Sequence, residues 1–121
     1  MEGKANEMFL DWITSKYFFK DKKYSDLNIY QKGDIGEFLR FTITKHAYIL
    51  EWLDSVGIYI FTKRLTMLLE FKEWYFIITN SDGVHLNNHV SQESRILKDS
   101  RQEATEAAIK KAVEIFNEKY A

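Results

Sequence analysis

His85 and His89 stand four residues apart, with Asp82 and Glu93 near them in the chain. On a helix that interval puts two imidazoles on one face, the first half of a zinc-binding H-E-x-x-H site. The residues between them are Leu86-Asn87-Asn88, so the glutamate base is missing, and the pair follows a turn-forming stretch instead of opening a helix. They read as solvent-facing histidines, and no stoichiometric metal is expected. His46 falls in the first turn of a predicted helix with no nucleophile and no orienting carboxylate in a partnered set, so it reads as a half-buried structural side chain. Gly33-Asp34-Ile35-Gly36 is too short a glycine signal for a phosphate cradle and reads as a turn. G-x-S-x-G, P-loop and G-x-G-x-x-G patterns are absent, and with no Cys in the chain thiol chemistry and Cys-ligated clusters are excluded. The reading is a non-enzyme that needs no cofactor.

Binding chemistry is better represented. Aromatics make up 16% of the 121 residues, more than one small core requires. Two groups stand out. Leu10, Tyr17 and Phe18 lie off the apolar stripe of the first predicted helix and are candidates for a protein contact, since exposed aromatics are enriched at interfaces. Lys22 and Lys23, then Tyr59, Lys63 and Arg64, interleave cations with aromatics, the pattern with which single-stranded nucleic acid is bound. Charge weighs between the two. Seventeen Lys and Arg against 18 Asp and Glu leave a net charge of −1, without the basic excess of a general polyanion binder. A protein partner is the first reading and nucleic acid the alternative.

These residues need elements to position them. Residues 4–19 read as a helix, with Ala5, Met8, Phe9, Trp12 and Phe19 on one stripe and the charged run Lys20-Asp21-Lys22-Lys23 closing it. Leu27 to Tyr30 is a short strand candidate, Gln31 to Gly36 a turn, and Leu39, Phe41 and Ile43 alternate as a half-buried strand. Thr44 is positioned to cap a helix over 45–56, with Ile49, Trp52, Leu53 and Val56 on one face and Gly57 at its left-handed end. Strand patterns follow at Ile58 to Phe61, at Met67, Leu69 and Phe71, and at Trp74, Phe76 and Ile78. Asn80-Ser81-Asp82-Gly83 then turns the chain toward Val84 and Leu86. Residues 87–99 read as a polar loop. Ser100 and Glu103 make a capping box for a last helix, 101–119, whose inner stripe is Ala104, Ala108, Ala112, Ile115 and Phe116. The expected fold is one α+β domain over 1–121. It has an antiparallel sheet of four to five strands, helices packed on one face, elements in the order α-β-β-α-β-β-β-α, and Trp52 and Phe116 in the core.

Two stretches also resemble a known group of sequences. Tyr48-Ile49-Leu50-Glu51-Trp52-Leu53-Asp54-Ser55-Val56-Gly57-Ile58-Tyr59-Ile60 looks like a leucine-and-tryptophan helix running into a strand. Glu103-Ala104-Thr105-Glu106-Ala107-Ala108, with Ala112 and Ile115, looks like a closing helix. Both resemble small uncharacterised proteins encoded by phages and mobile elements of gut Bacteroidetes. The resemblance spans residues 44–120 and rests on packing motifs, so no functional residue carries over. It implies an accessory gene product whose partner is a host or phage protein, with self-association into a homodimer also admitted. The N-terminus MEGKANEMFLDW lacks an apolar signal core, no apolar run approaches the ~20 residues that span a bilayer, and Cys is absent. The expected location is cytoplasmic, with no membrane partner.

Overall fold

The structure, a computed structural model, describes residues 1–64, 74–86 and 100–120. Helix α1 (Gly3–Ile13) buries Ala5, Phe9 and Ile13, which recur at four-residue spacing on one face. Its N-cap residue Glu2 supplies no side-chain cap. The acceptor comes from the far end of the chain instead. Asn117 Oδ1 takes the Ala5 N–H at 2.8 Å, while Asn117 Nδ2 donates to the Glu2 carbonyl at 3.0 Å. The helix predicted to reach residue 19 ends its α geometry at Ile13. A π turn (Thr14–Phe18) follows, closed by the Phe19 N–H on the Thr14 carbonyl at 2.7 Å. Thr14 is buried in the turn and its hydroxyl donates back to the Leu10 carbonyl at 2.7 Å.

The next segment departs from the expected strands. Residues Ile29–Phe38 form helix α2, where Leu27–Tyr30 was read as a strand and Gln31–Gly36 as a turn. A reciprocal capping box drives this outcome. The Gln31 N–H donates to Asn28 Oδ1 at 2.9 Å, and the Asn28 N–H donates to Gln31 Oε1 at 3.0 Å. Two helical glycines, Gly33 and Gly36, mask the helix in the sequence because each is worth ~1 kcal/mol less than Ala in a helix. The alternation of Leu39, Phe41 and Ile43 is likewise not a strand. Leu39 is buried at the end of α2, whereas Phe41 and Ile43 are exposed at the start of helix α3 (Thr42–Ser55). That helix begins upstream of Thr44, which therefore does not cap it; Phe41 holds the N-cap position without a side-chain bond.

The end of α3 follows the sequence reading. Gly57 takes φ +81°, the Ile58 N–H bonds the Leu53 carbonyl at 2.9 Å and the Gly57 N–H bonds that of Asp54 at 3.1 Å. This is a Schellman closure, and its apolar pair, Leu53 and Ile58, is buried. Strand β1 (Tyr59–Arg64) then pairs antiparallel with β2 (Trp74–Thr79), in register from Tyr59 opposite Thr79 to Arg64 opposite Trp74. Among the described residues the sheet has these two strands, not four to five, with one further bridge between Thr79 and His85. The strand expected at Met67, Leu69 and Phe71 and the loop expected at 87–99 lie outside the described residues. In the turn that starts at Asn80, that residue's side-chain oxygen accepts the N–H groups of Asp82 and Val84, both at 3.0 Å, and Gly83 takes φ +79°.

Helix α4 (Arg101–Tyr120) starts at Ser100, whose hydroxyl accepts the Glu103 N–H at 3.1 Å. It buries Ala104, Ala108, Ala112 and Phe116 as expected, and also Ile109 and Val113. The helix lies across both strands, while α1 rests on α3 and α4 and not on the sheet. The architecture is mostly helical α+β, in the order α1, α2, α3, β1, β2, α4. At its centre Trp52 meets Phe116 edge-on, ring centroids 5.0 Å apart, and meets Phe9 at 6.0 Å; all three side chains are about 1% exposed.

Truncating Phe116 or Trp52 to Ala should cost ~3–5 kcal/mol, read from denaturant midpoints. Gly33→Ala acts in the opposite direction. A Cβ at Gly33 meets nothing within 4 Å and the backbone there is already helical. That variant should gain ~0.5–1 kcal/mol and melt higher than the parent.

Candidate protein-interaction site

The π turn determines where the first group of candidate residues goes. An extra residue in the turn rotates Tyr17 and Phe18 toward different neighbours. Tyr17 packs edge-on against Tyr48 of α3 at 5.1 Å, Tyr48 meets Phe38 at 5.2 Å, and Phe38 meets Phe18 edge-on at 5.1 Å. Tyr17 and Phe18 thus come together through Tyr48 and Phe38. Tyr17 also touches Trp12 at 5.9 Å, which links this cluster to Phe9 and the core. Each such pair contributes ~0.5–1.5 kcal/mol beyond the area it buries. Leu10 and Phe18 are half-buried against the core, whereas Tyr17 is 44% exposed.

A polar cluster lies on the same surface. Glu51 Oε1 accepts from Lys16 Nζ at 2.7 Å and from the Tyr17 hydroxyl at 2.5 Å. Those two bonds hold the Glu51 carboxyl below its ordinary range. The bond to Glu51 pushes Lys16 and the Tyr17 phenol above theirs. Lys16 also lies over the Trp12 ring at 5.1 Å. The cluster fixes the π turn against α3, and its groups serve that bridge.

The largest apolar exposure lies next to it, on residues first read as strand and turn. Ile29 is 79% exposed, Tyr30 81%, Phe41 62% and Ile43 71%, with Phe38 at the edge of the aromatic cluster. On α2 only Ile35 is buried. Its outward side carries Ile29 and Tyr30 around Gly33, which has open space above it. Sequence reasoning missed these four side chains because period-two alternation looked like a half-buried strand. The Asn28-x-x-Gln31 box was the signal that pointed to a helix.

The basic and aromatic candidates are placed on separate elements. Lys22 and Lys23 are exposed in the connection after the π turn, where Asp21 takes φ +66°. Tyr59, Lys63 and Arg64 belong to β1; Tyr59 is half-buried and Lys63 exposed, on the same strand face as the exposed Phe61. His85 forms the bridge to Thr79, and His89 and Glu93 lie outside the described residues.

A second concave feature runs between α3 and α4, a cleft of about 810 Å³. Its floor includes Leu39, Ile49, Ile109 and Val113, all buried. Arg40, Lys45 and His46 stand on the α3 side and Glu103, Glu106 and Glu114 on the α4 side. His46 is thus half-buried at a cleft wall. Among the described residues no group of three or more His, Cys, Asp or Glu side chains is arranged to hold a metal ion, and no helix is long and apolar enough to cross a membrane.

No family model matches this chain, and comparison with curated proteins and with solved structures likewise gives no match.

The Glu51 cluster has a pH signature. A depressed carboxyl contributes stability above its unfolded value of ~4.3, and that contribution is lost as pH falls through the folded value. The raised Tyr17 and Lys16 contribute below ~10 and lose their contribution as pH rises through their folded values. In Glu51→Gln the acid limb of the stability profile should flatten, and the Tyr17 phenol should titrate nearer its ordinary value. Denaturation at stepped pH and carbon NMR of the Tyr17 ring measure the two effects.

Proposed function

We propose that this protein is a non-enzymatic binding module whose partner is another protein. The observation that carries this reading is the exposure of Ile29, Tyr30, Phe41 and Ile43 within fifteen residues of α2 and the α2–α3 junction. Isolated apolar side chains on a surface need no explanation, but a cluster of large ones beside an aromatic network is the composition of an interface core. The rigid aromatic cluster of Tyr17, Tyr48, Phe38 and Phe18 supports it, because anchored rings lose little conformational entropy on binding. The resemblance to phage and mobile-element proteins supports a host or phage protein as that partner, acting in the cytoplasm, with a second copy of this chain as the other protein partner.

A nucleic-acid reading is favoured by one feature. Tyr59, Phe61 and Lys63 alternate onto one face of β1, with Phe61 and Lys63 exposed, as on a stacking platform for single strands. The net charge of −1 and the separation of Lys22 and Lys23 from this face weigh against it.

Pull-down from lysate of the source cell, with and without nuclease and at two salt concentrations, separates the readings. An apolar protein contact should survive nuclease and added salt, whereas phosphate-driven binding falls steeply with salt. The Tyr30→Ser/Phe41→Ser variant should fold and lose the captured protein. Light scattering on the purified protein checks for a dimer in the same variant pair. A nuclease-sensitive result with no enriched protein overturns the proposal.

A further inference from the structure

The cleft between α3 and α4 has a shape and a charge pattern that the exposed α2 surface does not use. Along α4 it runs from Glu103 to Asn117, about 21 Å at the ~1.5 Å rise of a helix, or close to four turns. Its floor is apolar and its long walls are helices. Helical walls offer no free backbone groups, because their N–H and C=O bonds are made internally. An extended peptide laid there would bury its own backbone unpaired, whereas a helix brings its hydrogen bonds with it. The two rims differ in sign. Arg40 and Lys45 stand on the α3 side, against Glu103, Glu106 and Glu114 on the α4 side, where Lys110 is the one basic residue among them. Arg40 is shared with Glu37 at 3.1 Å and Glu114 with Lys111 at 3.6 Å. Lys45 and Glu106 make no ion pair among the described residues, so each can pair with a partner.

We infer that this cleft takes an amphipathic helix of the protein partner, about four turns long, with an apolar stripe flanked by acidic residues on one side and basic residues on the other. The inference rests on the protein-binding reading and supplies the shape and charge of the segment recognised. The acidic flank lies along Arg40 and Lys45, and the basic flank along the α4 glutamates. The apolar stripe fills the floor at Ile49, Ile109 and Val113. Rim pairs contribute modestly each, so their summed effect sets selectivity while the stripe supplies affinity.

Three labelled synthetic helices with one leucine stripe test this. One carries Glu on one flank and Lys on the other, one carries Glu on both, and one carries Lys on both. Because either chain direction can be adopted, the mixed helix satisfies both rims, while each single-sign helix is repelled by one. Fluorescence anisotropy at low salt should rank the mixed helix about tenfold tighter than either single-sign helix. Lys45→Glu makes both rims acidic and should move the preference to the all-Lys helix. Glu106→Lys should move it toward the all-Glu helix. Both positions line the open cleft, and melting curves of the two variants verify that they fold. Equal binding of the three helices, no binding at all, or an unchanged ranking in both variants overturns the inference. Tyr30 and Phe41 do not line the cleft, so a lysate partner lost in Tyr30→Ser/Phe41→Ser is a separate result from failure of the peptides.

Discussion

Trp52 fills the space where α1, α3 and α4 meet, with Phe9 against one part of the indole and Phe116 against another. No other fully buried side chain is as large. Burying it removes one of the biggest apolar surfaces in the chain from water, and that requires three helices at once. The small residues Ala104, Ala108 and Ala112 let α4 lie close to its neighbours, so that Phe116, on the same stripe, reaches the ring. The direction of α3 follows from this contact, and with it the positions of Tyr48 and Glu51 on its outer side. The aromatic cluster and the cleft are therefore both set by where one indole sits.

What the sequence revealed depended on how local each determinant was. Ser100, Gly57 and the turn from Asn80 to Gly83 act through bonds to residues within five positions, and each was read correctly. The core stripe of α4 was legible for the same reason, since helical periodicity is short-range. The segment from Leu27 to Ile43 was not. Its strand-like alternation joined the end of one helix to the start of another, and Gly33 and Gly36 lowered the helical signal. The capping box of Asn28 and Gln31 outweighed both. The π turn left no periodic trace, because Thr14 bonds backward to Leu10 and shifts the phase of the residues that follow.

The candidate site was legible only in part, for a related reason. Tyr17 and Phe18 stood out because they left the stripe of α1. The side chains that accompany them, Phe38 and Tyr48, are brought in by tertiary contact from twenty and thirty residues downstream. Exposure of Ile29, Tyr30, Phe41 and Ile43 became visible only once α2 was known to be a helix with one buried residue. The cleft has no sequence signature, since its walls come from α3 and α4 and its opposing charges lie about sixty residues apart along the chain. Lys22 and Lys23, grouped with Tyr59 and Lys63 by composition, belong to a different element.

The cap supplied to α1 by Asn117 has a consequence for the order in which the protein is made. The Ala5 N–H and the Glu2 carbonyl find their partner only in α4, and Phe9 reaches its full enclosure only when Phe116 stands behind Trp52. At roughly 5–20 residues per second, a ribosome takes on the order of 5–20 s to travel from α1 to the end of α4. Throughout that interval the apolar face of the first helix is outside the tunnel without its cover. A nascent chain of this kind presents Ala5, Phe9 and Ile13 to chaperones, and it completes its folding only after the last helix has emerged.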